Sequence, residues 1–143
     1  MFELKPDFED VFQRYEAWWH CEITDRPLTC FTFPQPEDKQ VPKPPEKNWD
    51  SLAERWLDTE YQVEKRVANL RNTVFYADAL PVTIPNLGPD IFSAFYGCAL
   101  RFGEQTSWSE PVLFDWSEES VQKIQLNEEN FYFKKILEMT DAL

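Results

Sequence analysis

An α/β fold is what this sequence predicts, and three stretches carry that reading. Phe8, Val11, Phe12, Tyr15, Trp18 and Trp19 recur at three- and four-residue spacing, the period of a helix with one apolar face. Leu28-Thr29-Cys30-Phe31-Thr32-Phe33 alternates in the manner of a strand. Residues 80–84 are short, β-branched in part and uncharged, as a strand covered on both faces would be. Directly after them, Pro85-Asn86-Leu87-Gly88-Pro89-Asp90 stops a strand and turns the chain.

The first helix is expected to open at Pro6-Asp7, with Glu9, Asp10, Gln13, Arg14 and Glu16 outward and the double Trp at the edge of the core. Residues 34–47 hold five prolines and several charges with no hydrophobic period, which predicts an extended, mobile Pro-rich loop. The longest helix is expected over 48–72, capped by Asn48 or Asp50, with Leu52, Trp56, Val63, Val67 and Leu70 as its apolar stripe. Phe75-Tyr76 then reads as a link to the strand at 80–84. Pro89 suits the first turn of a short helix, and Asp90 favours its positive end. Ala99-Leu100-Arg101-Phe102 and Pro111-Val112-Leu113-Phe114 read as extended segments around a polar loop. A single helical turn is expected in 115–126. A final helix, capped from Asn127-Glu128-Glu129, carries Phe131, Ile136, Leu137 and Met139.

The 143 residues suffice for one domain with its own core, and the whole chain, 1–143, reads as a single domain. Six Trp and twelve Phe are a heavy aromatic load, so some rings are expected on a surface that packs against something else. A net charge of −12 repels a phosphate backbone or an anionic bilayer, which argues against nucleic acid and membranes as partners. No apolar run approaches the ~18–20 residues that span a bilayer, and the N-terminus lacks a signal-peptide pattern. Cys21, Cys30 and Cys98 are odd in number and widely spaced, as reduced thiols of a cytoplasmic protein are.

Chemistry-bearing motifs are few. His20 is the only histidine, so neither a zinc site nor a Ser-His-Asp arrangement has its supporting residues. No phosphate loop, Gly-x-Ser-x-Gly or dinucleotide fingerprint occurs. The expectation is therefore no catalytic residue, no metal and no cofactor within these residues. Ligands of α/β proteins bind beyond the carboxyl ends of strands. That makes Asn86 and Asp90 candidates for holding a polar substrate, although the same residues can serve only the turn and the helix start. Trp108, flanked by two serines, is the ring least explained by a periodic core.

Several stretches, in order, resemble the uroporphyrinogen decarboxylase-like family, in particular its uncharacterised and methyltransferase-type branch. They are Ile23-Thr24-Asp25-Arg26-Pro27-Leu28, Glu54-Arg55-Trp56-Leu57-Asp58, Asp78-Ala79-Leu80-Pro81, residues 85–90 quoted above, and Phe102-Gly103-Glu104-Gln105-Thr106-Ser107-Trp108. The resemblance implies a (β/α)8 TIM-barrel enzyme acting on tetrapyrroles or on corrinoid-borne methyl groups. A whole barrel takes about 250 residues, so the chain reads as the N-terminal part of such a fold, an incomplete barrel, inactive in isolation. Where decarboxylases of the family carry an arginine motif after the first strand, Phe33-Pro34-Gln35-Pro36 has none. The orienting aspartate of those decarboxylases falls in a region that offers Thr83, Asn86 and Asp90, and the zinc ligands of the methyltransferase branch would lie beyond these residues. With Trp108, Asn86 and Asp90 form the expected substrate-binding set. The alternative is a stand-alone, non-enzymatic interaction module. In either case open strand edges and aromatic faces predict self-association into a homo-oligomer.

Overall fold

The computed structural model describes residues 2–143. Its elements run α1 (Phe8–Trp19), β1 (Cys30–Pro34), α2 (Leu52–Leu57), α3 (Thr59–Arg71), β2 (Thr73–Ala77), α4 (Ile91–Phe95), β3 (Leu100–Phe102), β4 (Ser107–Ser109), α5 (Glu118–Gln122) and α6 (Phe131–Ala142). The structure is mixed α/β, with two antiparallel two-stranded sheets and no closed barrel among the described residues. It divides into two compact units, Met1–Pro44 with Lys65–Thr83 and Pro45–Glu64 with Ile84–Leu143.

In the first unit α1 forms where its apolar period places it, and Val11 is fully buried. The double Trp departs from expectation: Trp18 and Trp19 are 55% and 77% exposed. A two-stranded ribbon offers too little surface to cover that last turn. β1 pairs β2 antiparallel in the register Cys30↔Ala77 to Pro34↔Thr73. The same register continues at both ends, where Asp78 N–H donates to Thr29 O and Gln35 N–H to Asn72 O, each at 2.8 Å.

Parallel strands at 28–33 and 80–84 were the expectation, and this is a correction. The second strand lies earlier, on residues read as a link. It ends because Ala77 takes a left-handed φ of 56° and turns the chain out of the ladder. Beyond it Pro81 and Pro85 have no N–H to donate, and Val82 N–H closes a three-residue turn on Leu80 O at 2.9 Å. Val82 and Ile84 are 72% and 73% exposed, where a doubly covered strand would bury them.

The Pro-rich stretch holds one 3-10 turn, Glu37–Lys39, and is otherwise irregular. It is pinned in the middle. Asn72 accepts from Val41 N–H at 2.7 Å and donates to Val41 O at 2.9 Å, as a strand partner would.

In the second unit Ser51, rather than Asn48 or Asp50, caps α2 by accepting from Glu54 N–H. The single helix expected over 48–72 is broken at Asp58, whose backbone is extended. Its carboxylate accepts from Tyr61 N–H at 3.0 Å and from the Trp49 indole at 3.1 Å, and Lys47 pairs with it. An aspartate that can cap a new helix competes with continuing the old one. Burial pushes the Asp58 carboxyl up, but the Tyr61 N–H, Lys47 and Trp49 outweigh it and leave it below the ordinary value.

β3 and β4 form a tight hairpin, Leu100↔Ser109 to Phe102↔Ser107, closed by Gly103 N–H on Thr106 O. The second extended segment thus falls on Ser107-Trp108-Ser109, not on 111–114. The core gathers Leu87, Ala94, Leu100 and Met139, with Leu57, Phe102, Tyr132 and Ile136 packed against it. Asn130 caps α6, and of its expected apolar stripe only Met139 is fully covered; Phe131 and Leu137 face solvent.

Candidate functional site

Of the three residues singled out from the sequence, Trp108 lies on β4 and Asp90 bonds to it, while Asn86 reaches it only through the turn it holds. Asn86 Oδ1 accepts from Gly88 N–H at 2.8 Å, a local turn that delivers Leu87 to the core. Leu87 O accepts from the buried Ser107 hydroxyl. Gly88, at φ 105°, passes so close to this serine that an added Cβ would lie 1.8 Å from Ser107 Oγ. Asp90 Oδ2 accepts from Ser109 N–H at 2.8 Å and from its hydroxyl at 3.2 Å. Asp90 is the N-cap residue of α4, at the helix start as expected, but its side chain makes no capping bond there and instead clasps β4. Trp108 lies between the two serines with an exposed ring, its edge against Gly103.

Two further stretches that carry the resemblance, 54–58 and 102–108, pair with each other within the second unit. Arg55 donates to Glu104 O at 2.8 Å, and the Trp56 indole donates to Gly103 O at 2.9 Å. These contacts hold the hairpin turn against α2.

The most strongly perturbed group lies in the first unit. Asp78 is fully buried, and its carboxylate accepts from Arg14 Nε at 2.7 Å, from Arg26 at both oxygens, and from Thr29 N–H at 2.9 Å. Burial pushes the Asp78 carboxyl up, but Arg26, Thr29 and Arg14 together outweigh it and hold it well below the usual carboxylate range. Asp78 in turn raises the Arg26 guanidinium. Tyr15 donates to Asp78 O at 3.1 Å and lies 3.4 Å from Cys30 Sγ. The Cys30 contact, with burial, pushes the Tyr15 phenol up to about 12.

Arg14 was expected outward, and the cluster corrects that. The sequence held one signal for it. A carboxylate ending the uncharged side of a strand must find cations if it is buried, and Arg26 stands in the Asp-Arg-Pro stretch before β1.

Lys5 completes the unit's interior. It is buried, donates to Ala77 O at 2.5 Å and pairs with Asp7 at 3.2 Å. With Arg26 it flanks an open groove of about 490 Å3 floored by the rings of Phe31, Phe75 and Tyr76. Its cations are already paired inside the chain, so what the groove offers outward is chiefly aromatic surface. A second hollow, of about 470 Å3, is lined by Trp18, Trp19 and Ile23. Among the described residues no group of three or more His, Cys, Asp and Glu gathers to hold a metal ion. No described helix is long and apolar enough to cross a membrane. No family model, curated protein or solved structure matches the chain.

Proposed function

We propose that the chain is the N-terminal segment of a uroporphyrinogen decarboxylase-like protein, with no turnover of its own. The observation supporting this is that the stretches carrying the resemblance pair with one another. Arg26 meets Asp78, Arg55 and Trp56 meet Glu104 and Gly103, and the turn at 85–90 meets Ser107 and Ser109. In this reading the full-length protein handles a tetrapyrrole or a methyl-donor substrate, and Asn86, Asp90 and Trp108 mark its polar and aromatic contacts. The missing arginine motif at 33–36 favours the methyltransferase-type branch.

Two assays test it. Purified chain incubated with uroporphyrinogen or with methylcobalamin should give no product, and turnover of either overturns the non-catalytic role. Titration with uroporphyrin or cobalamin should quench tryptophan fluorescence saturably, with the response reduced in Trp108→Phe. Absence of saturable quenching by both ligands overturns the substrate class.

A second reading is favoured by one surface. Phe31, Phe33 and Tyr76 share a face of the β1–β2 ribbon and are 49%, 53% and 62% exposed. Their rings touch in sequence, with centroids 6.4 and 6.5 Å apart. Contiguous apolar patches of this kind mark interaction surfaces. In that reading the chain is a self-associating module, and light scattering decides it against the monomer mass of 17.0 kDa.

A further inference from the structure

We propose that the free edge of β1 is the self-association surface, where β1 of a second copy adds antiparallel, centred on Thr32. This rests on the self-association reading and names its interface. The two edges of the ribbon differ. In an antiparallel ladder alternate residues turn N–H and C=O toward the partner strand, and the residues between them turn both outward. The bonds at Thr29–Asp78 and Gln35–Asn72 fix which are which. Odd-numbered residues of β1 face β2, so Cys30 and Thr32 turn N–H and C=O outward, and Pro34 its carbonyl.

On β2 the outward carbonyls belong to Thr73, Phe75 and Ala77, opposite Pro34, Thr32 and Cys30. Lys5 Nζ covers the last two, at 3.5 Å and 2.5 Å. A lysine laid along an edge is how sheets block further pairing. Among the described residues no lysine donates to the outward carbonyls of Cys30, Thr32 or Pro34, although Lys43 lines the hollow beside Thr32 and Pro34. All five residues of β1 are exposed, and Pro27–Pro36 contains no charged residue although 28% of the chain is charged. A second copy, equally acidic overall, therefore meets no like charge along this edge.

The edge is self-complementary. With Thr32 opposite Thr32 of the second copy, the two threonines exchange both backbone bonds, and each Cys30 N–H meets a Pro34 carbonyl. Phe31 of each copy then stands opposite Phe33 of the other, on the face that Tyr76 shares. At about 150–250 Å2 per aromatic side chain, the exposed shares of Phe31 and Phe33 come to roughly 200 Å2 per copy. With the strand backbone added, this lies at the small end of specific interfaces, which predicts a dimer that forms and dissociates in the micromolar range.

Sedimentation of the intact chain from about 5 to about 500 μM tests the proposal. A concentration-dependent rise from 17.0 kDa to twice that mass is expected. Thr32→Lys places a charge on the edge, and Thr32→Pro removes an outward N–H that β2 does not use. Both variants should remain monomeric with an unchanged far-ultraviolet spectrum. A wild-type chain monomeric throughout overturns both the edge and self-association. Wild-type dimers that survive in both variants overturn the edge alone, and self-association stands on another surface. Because Thr32→Pro can disturb the ribbon itself, the Thr32→Lys result, at an exposed side chain, decides where the two disagree.

Discussion

Replacing Asp78 by asparagine removes the acceptor at the centre of the first unit while keeping its shape. Arg14, with a side chain only 16% exposed, and Arg26, 36% exposed, then face a neutral amide whose NH2 opposes their own donors. Breaking a buried ion pair from one side costs about 3–5 kcal/mol. Water reaches Arg26, so the lower end, about 3 kcal/mol, is expected. Domains of this size are stable by about 5–15 kcal/mol in total, so the loss is a large fraction. Urea unfolding followed by circular dichroism reads it: with a slope near 2 kcal/mol per M, the midpoint should fall by about 1.5 M. The sign of the pH dependence follows from the lowered carboxyl. Its contribution is present above the ordinary value of 3.8 and is lost as pH falls from there toward the depressed folded value. Asp78→Asn should flatten that acid limb. A midpoint within about 0.3 M of wild type, a fifth of the expected fall, together with an unaltered acid limb would refute the reasoning.

Three further outcomes are expected. Gly88→Ala combines a left-handed backbone with a Cβ 1.8 Å from Ser107 Oγ, so it should cost about 3 kcal/mol or more in urea unfolding; a loss under about 1 kcal/mol contradicts the close approach. Asp90→Ala leaves Ser109 N–H without its acceptor and should cost about 1–2 kcal/mol; an undiminished midpoint shows that the clasp on β4 is dispensable. Tyr15, neutral and pushed from 10.0 up to about 12, contributes stability that is full below pH 10 and lost as pH rises through its folded value. Tyr15→Phe should blunt the alkaline limb, and an identical limb in both proteins counts against the Cys30 and Asp78 contacts.

Local pattern carried much of the fold. The period of α1, the alternation of β1 and the apolar run of α6 all depend on neighbours within a few residues, and these elements appear close to where the pattern puts them, although Asn130 rather than Asn127-Glu128-Glu129 caps α6. The misplacements share one cause: short-range signals were outvoted by single side chains acting at a distance or against the run. Asp58 interrupts a helix whose apolar stripe continues past it, because its carboxylate is better used on Tyr61 and Trp49. Residues 80–84 look like a strand by composition, but two prolines and the turn at Ala77 deny it a partner. The Asp78 cluster joins residues 64 and 52 positions apart, a pairing that no window along the sequence contains.

The candidate site teaches a narrower point. Asn86, Asp90 and Trp108 are the residues the sequence offers for a substrate, and of these Asp90 and Trp108 meet at β4. Yet Asn86 holds a turn and Asp90 holds Ser109, each through bonds made inside the chain. The same is true of Arg26, Asp78, Arg55 and Trp56. The stretches by which the sequence resembles a family are therefore the stretches that fasten its elements to one another. A resemblance carried by fastening residues speaks to how the chain folds before it speaks to what it converts. Substrate contact accordingly rests on Asn86 and Asp90 keeping an unshared polar atom each, the amide nitrogen and Oδ1, which form no bond among the described residues. If substrate contact is real, Asp90→Asn, which can still accept from Ser109, should weaken porphyrin or cobalamin quenching while leaving the urea midpoint nearly in place. Parallel loss of both would assign Asp90 to the fold alone.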